Sequence, residues 1–356
     1  EALVELESLE AAEANLRDRL AREDRAFGEL RAPQIPSLEE VREALDSGQA
    51  MLLYQLWNRP PPKDFEGISE ASWLLVVTSG GVDVLALPEK QLLVKQIEVY
   101  EGLFESRDGS EAQGSVRFYE DLIEAAVDRL PDSIDRLVIV PDSILYRFPF
   151  AALRADATGR PLATRYTITY VPSATLWMRW KRRDSALVAG ALSLADPEPM
   201  SEETASEVRS AAPWIDGLDL GPLPHGRREA EAVVRSLGGL IRVGQEASER
   251  FLKTTDLSSF GLVHFAAHAV IDQRTPERSA ILLAPGSEKE DGLLQAREIV
   301  ALDFDECVVV LSACRSASGE LLEGEGVVGL AHAFFQAGAR AVVGSLWPIR
   351  DREAAD

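Results

Sequence analysis

The stretches GLVHFAAHAVID, residues 261–272, and CVVVLSACRSASGE, residues 307–320, decide how this chain is read. Each opens on an apolar run of strand length and ends in a loop of small residues. The first leads to His268 and the second to Cys314. Apolar runs without polar alternation are typical of strands buried on both faces, hence of a parallel sheet covered by helices. In such sheets ligands and reacting groups gather at the carboxyl ends of the strands. A thiol and an imidazole delivered there from two strands are the minimum equipment of a cysteine nucleophile.

The same pattern continues outward from these runs. DRLVIVPD, SALVAGAL, GGLIRVG and RAVVGSLW read as strands. SATLWMRW, REAEAVVRSLGG, SERFLKTTDL, LQAREIVAL and EGVVGLAHAFFQAG read as helices. Their alternation predicts an α/β fold built on a mostly parallel sheet flanked by helices. Nearer the start, AMLLYQLW, WLLVVTS and VDVLALP turn about Gly80 and Gly81 as a sheet edge containing a hairpin. Residues 91–104 and 116–130 read as helices, with GSEAQG a loop between them. Ser37 and Glu40 form a capping box for a short helix ending near Gly48. Residues 3–30 carry Leu6, Leu9, Leu16, Leu20, Phe27 and Leu30 as one apolar stripe in a charged background. That stripe has to pack on something, either the following domain or the end of a helical-repeat array. The expected organisation is an N-terminal helical segment, 1–48, and an α/β domain, 49–356. Within the domain, 49–135 form an N-terminal subdomain and 136–356 the part with His268 and Cys314.

The 356 residues include 37 Lys and Arg against 59 Asp and Glu, a formal charge of -22. That balance disfavours nucleic acid and anionic membranes as direct partners. The one basic cluster, residues 179–183, follows an apolar helical stretch and reads as a solvated helix end. The only cysteines are Cys307 and Cys314. Seven residues apart on one strand they would stand roughly 23 Å from each other, too far for a disulfide or a shared metal. So few cysteines, with no signal peptide and no long apolar span, read as cytoplasmic. A chain that begins at Glu1 reads as a fragment or a processed product.

Competing chemistries are weaker. HFAAH has the histidine spacing of zinc helices, but Phe265 stands where a zincin needs glutamate. As a strand it would set His264 and His268 roughly 13 Å apart. GEGVVG follows no strand directly and lacks the GK[ST] continuation of a phosphate loop. No GxSxG elbow is present, and Ser312 or Ser316 would each need a base of its own. Cys307, at the opening of its strand, reads as a small buried hydrophobe. A lone histidine at a strand end is commonly structural too. It is the pairing of His268 with Cys314 at two carboxyl ends that points to function.

Taken in order, the chain resembles the CHAT domain family, caspase-like proteins related to separase, gingipains and metacaspases. The resemblance runs through MLLYQLW, WLLVVTSGG, LVIVPDSILYRFPFAAL, YTITYVPSATLW and LPHGRREAEAVVRSLGG. It continues through GQEASERFLKTTDLSSFGLVHFAAHAVID, SAILLAPG, DGLLQAREIVALDF, VVVLSACRSASGE and GEGVVGLAHAFFQAGARAVVGSLWPIRD, from about residue 50 onward. The family's catalytic histidine falls on His268 and its nucleophile on Cys314. Two positions depart from the pattern: Ala269 replaces the usual glycine, and Ser316 the usual threonine. The family commonly continues through further helices beyond the position of Asp356.

The resemblance implies a caspase-like fold and a cysteine endopeptidase with a Cys–His dyad. The backbone N–H groups of Ala269 and Cys314 would form its oxyanion hole, with no metal or organic cofactor. Cleavage of a specific protein substrate, encoded nearby, is expected. Because a free endopeptidase would digest its host, the enzyme is expected to be latent until an activating protein or helical-repeat region engages it. Service in bacterial defence and a cytoplasmic location belong to the same expectation. The rival reading is a catalytically inactive caspase-like scaffold or interaction module. An acyl hydrolase acting on small esters is a more distant third.

Overall fold

Two five-stranded sheets organise the chain. The computed structural model describes residues 35–58, 72–106, 109–182, 188–198, 222–272, 276–287, 289–312, 320–322, 326–346 and 352. The expected helical segment before residue 35 and the nucleophile position Cys314 lie outside them.

The first sheet has strands β1 (Gln49–Gln55), β2 (Ser72–Thr78), β3 (Gly81–Leu87), β4 (Arg136–Val140) and β5 (Thr167–Tyr170), in the order β3-β2-β1-β4-β5. The hairpin expected about Gly80 and Gly81 pairs β2 with β3, while β1, β4 and β5 run parallel. Its faces follow from alternation along the strands. Ala50, Leu52 and Tyr54 join Leu137 and Ile139 against helices α2 (Lys90–Ser106) and α3 (Glu111–Tyr119). Met51, Val77 and Val138 pack with Val41 of α1 (Leu38–Ala44) and with Trp177 and Met178 of α4 (Ala174–Lys181). The capping box at α1 is formed as expected, with Ser37 and Glu40 bonding reciprocally.

The second sheet is all parallel, in the order β15-β12-β8-β6-β7. Its strands are β6 (Ala191–Pro197), β7 (Gly239–Gly244), β8 (Leu262–Ala266), β12 (Val308–Leu311) and β15 (Ala341–Gly344). One face buries Leu192, Leu194, Val263, Phe265, Val309 and Leu311 with Leu252 of α6 (Glu249–Thr254) and Phe334 of α8 (Leu330–Gln336). The opposite face meets α5 (Pro224–Leu237), where Ala230 packs on Ala195 and Ala266. This is the fold class expected of the sequence, a parallel α/β sheet flanked by helices. Trp180 of α4 stacks on Phe335 of α8 with ring centroids 5.0 Å apart, joining a helix of each layer.

Several local expectations are corrected. GSEAQG is not a loop throughout, since α3 begins inside it at Glu111. A Cβ at Gly114 would stand 2.7 Å from the Tyr100 ring, so this glycine permits close helix approach rather than a turn. The strand expected from SALVAGAL begins later, at Ala191, after Gly190 turns the chain at φ +97. The stretch EGVVGLAHAFFQAG is not one helix. Its Gly326–Val328 is strand β14, paired antiparallel with β13 (Glu320–Leu322), and α8 starts at Leu330. Similarly LQAREIVAL opens as strand β11 (Leu293–Gln295) before the short helix α7 (Ala296–Ile299). β11 joins β10 (Ala280–Leu282) and β9 (Ala269–Val270) in a small antiparallel sheet.

Candidate active site

Strand β8 lies between β6 and β12, in a parallel register that sets Ser193, His264 and Val310 side by side. Alternation sends Val263 and Phe265 into the core and leaves His264 on the face that meets α5. The strand ends at Ala266; His268 follows two residues on, half-buried, ahead of β9. Its carbonyl accepts from the Leu282 N–H at 2.8 Å, which ties the His268 backbone to β10. Partner strand β12 ends at Leu311, and the ladder runs one residue further, with Ser312 N–H donating to Phe265 O at 2.9 Å. The parallel pairing sets residue 308 opposite 262, an offset of 46 residues that equals the sequence separation of Cys314 from His268.

Ala269 pairs with Ile281 of β10. Because the Leu282 N–H donates to the His268 carbonyl, the next pair falls in the non-bonded class of an antiparallel ladder, which turns the Ala269 N–H away from β10. Among the described residues the only non-glycine positions at positive φ are Ser143, Asp196 and Glu306. Alanine at 269 therefore sits in ordinary extended backbone, without the strain that a missing glycine would bring.

Cys307 is a core residue, as its position at the start of the strand suggested. It is 1% exposed, and its thiol points at the Phe260 carbonyl, 2.9 Å away. Burial, aided by the carboxylates of Asp303, Asp305 and Glu306, pushes the thiol up to about 11. It is inert near neutral pH.

A network that sequence reasoning missed lies on the α5 face of the same strands. Ser193 Oγ is 2.7 Å from His264 Nδ1, and His264 Nε2 is 3.0 Å from Glu229 Oε1. The other oxygen of Glu229 accepts from Ser312 Oγ at 2.9 Å. A carboxylate offers only acceptors, so Nε2 carries the proton it shares with Glu229, and Nδ1 of a neutral ring then accepts from Ser193. Both ring nitrogens of His264 are thus engaged. Gly226 lets α5 lie close on the strand end, since a Cβ there would stand 3.2 Å from that of Ala266, tighter than ordinary contact. Only a histidine on the α5 side of its strand could have hinted at the arrangement; nothing in the sequence pairs it with Glu229.

One further cluster gathers titratable groups. Glu249, Glu290 and Glu298 are the one set of three potential metal ligands among the described residues. Lys253 already fills it, its Nζ lying 2.5, 2.7 and 2.8 Å from the three carboxylates. Glu249 also accepts from the Gly292 N–H at 2.8 Å. Burial holds the Glu249 carboxyl up, at about 7, against the pull of Lys253. No helix among the described residues is long and apolar enough to cross a membrane.

Two curated proteins are similar to this chain. The mouse protein called tetratricopeptide repeat protein 28 is 27% identical over 256 aligned residues, 60% of this chain. Its human counterpart of the same name is 24% identical over a stretch of the same extent. The chain spans only about a tenth of the length of these relatives, 10% in each case. Residues 116–356 match the family model of the CHAT domain, more than half of the sequence and all of its parallel sheet. With the two strand-end motifs and the topology that joins them, this match places the chain in the CHAT domain family.

Proposed function

We propose that the chain is a cysteine endopeptidase that cleaves a specific protein partner through His268 and Cys314. The observation that carries this reading is the adjacency of β8 and β12, whose carboxyl ends lie two residues before the histidine and three before the cysteine in the sequence. In this mechanism the Cys314 thiolate attacks the scissile carbonyl carbon. The Ala269 and Cys314 N–H groups hold the oxyanion, and His268 protonates the leaving amine. Water activated by His268 then releases the acyl group and restores the thiol. Support comes from the outward-directed Ala269 N–H and from a buried, inert Cys307 that leaves Cys314 as the reactive thiol. We place this domain at residues 49–356, in the cytoplasm, with catalysis latent until a helical-repeat region or another protein engages it. A role in bacterial defence and a substrate encoded nearby complete the proposal. The relatives' names refer to a repeat and to no peptidase, which favours, as a second reading, an inactive scaffold that binds partners.

The experiment incubates the protein with proteins encoded beside it and with a broad protein mixture, following cleavage by mass spectrometry. Cys314→Ala and His268→Ala should each reduce turnover about 10⁴-fold or more while leaving the melting temperature unchanged. Cleavage that persists in Cys314→Ala overturns the assignment. Partner binding without cleavage, and a Cys314 that alkylates no faster than a free thiol, would establish the scaffold instead.

A further inference from the structure

The composition Ser193, His264, Glu229 is that of a serine triad, yet Ser193 and His264 are 0% exposed and no substrate can reach them. Their role has to be exerted through neighbours. Glu229 is the one group in the network that bonds two strands at once. One oxygen takes His264 of β8, and the other takes Ser312 at the end of β12. Both anchors stand close before the residues of the proposed dyad, His264 four residues ahead of His268 and Ser312 two ahead of Cys314. Backbone ladders alone leave strand ends free to fray by a few tenths of an ångström. A carboxylate clamped across them from a third element removes that freedom, and Ser193 fixes the imidazole from the far side.

We infer that Glu229, held by His264 and Ser193, is a positioning residue that sets the carboxyl ends of β8 and β12 relative to each other and thereby aligns the dyad. The inference rests on the peptidase reading for its consequence and on the four described side chains for its geometry. Misplacing a reacting group by about 1 Å lowers a rate about a hundredfold while leaving substrate binding nearly intact.

The test uses Glu229→Gln and Ser312→Ala, both close in size to the native residue, with Ser312→Thr restoring the hydroxyl. Steady-state cleavage should show kcat reduced about ten- to a hundredfold and KM within about twofold in the first two variants. Ser312→Thr should recover most of the loss. Amide exchange read over residues 262–272 should accelerate about tenfold in Glu229→Gln and Ser312→Ala, with the exchange of the first sheet unchanged. Wild-type kcat in both variants, or a kcat loss that Ser312→Thr fails to relieve, overturns the inference. If even the native protein cleaves nothing, the peptidase reading falls. The positioning claim is then decided by exchange: acceleration over 262–272 upholds it, and unchanged exchange overturns it.

Discussion

Replacing Lys253 by methionine removes the one ammonium that three carboxylates share, with little change in side-chain volume. The ligand oxygens of Glu249, Glu290 and Glu298 lie within 4.8 Å of one another. At an effective dielectric constant of about 20, two unit charges at that distance repel by about 3.5 kcal/mol. Three ionised carboxylates would thus repel by about 10 kcal/mol in all at that dielectric constant, before solvent screening and proton uptake are counted. Two effects reduce it: Glu290 and Glu298 are 21% and 31% exposed, and Glu249 can take up a proton. We expect a loss of about 3 kcal/mol at pH 8, at the lower end of what breaking a buried ion pair costs. The pH dependence follows from Glu249. Burial already raises its carboxyl to about 7 in the native fold, and losing Lys253 raises it further. A carboxyl with a raised folded value keeps its proton when the unfolded chain has lost its own. The variant therefore loses stability as pH climbs from about 4.5 through 7 and beyond. Urea unfolding at pH 5.5 and pH 8.0 should show a deficit at least about 1 kcal/mol larger at the higher pH. The melting temperature at pH 8 should drop by about 6–12 °C. An equal deficit at both values, or a larger one at pH 5.5, would refute the claim that uncompensated carboxylates carry the effect.

The two cysteines should separate cleanly. Cys307, with a thiol near 11, should resist iodoacetamide in the folded protein at pH 8 and react at once in urea; prompt labelling of folded protein would show that it is not sealed. Cys307→Ala should cost about 1–2 kcal/mol through the gap left beneath Phe260, read by urea unfolding, and a neutral effect would contradict its core role. Gly239→Ala should lower stability by more than about 3 kcal/mol, since Gly239 sits at φ +120 and its Cβ would lie 2.0 Å from Ala191 O. Gly81→Ala, with open space around the new methyl, is the control and should change little. Similar melts for the two variants would contradict the backbone argument.

Contiguous apolar runs made the strands of the parallel sheet legible, because a strand buried on both faces admits no polar position for most of its length. Val308–Leu311 and Leu262–Ala266 were readable on that ground alone. The ends of those runs mark the carboxyl edge, so His268 stood out without coordinates. Short strands of three residues were another matter. Leu293–Gln295 and Gly326–Val328 carry too few positions to show a period, and each merged in the sequence with the helix that follows.

Sequence by itself determined the fold class, the strand whose carboxyl end leads to His268, and the kinship with CHAT domains. Tertiary structure decided which strands are neighbours and which face each side chain takes. The order β15-β12-β8-β6-β7 brings Ser193, Glu229, His264 and Ser312 together across separations of 71, 35 and 83 residues. Tertiary packing likewise closes three glutamates around Lys253 from as far as 45 residues away. Local propensity acts over a few residues along the chain. Hydrogen bonds and ion pairs act over about 3 Å in space, and that distance exists only once helices and strands have packed.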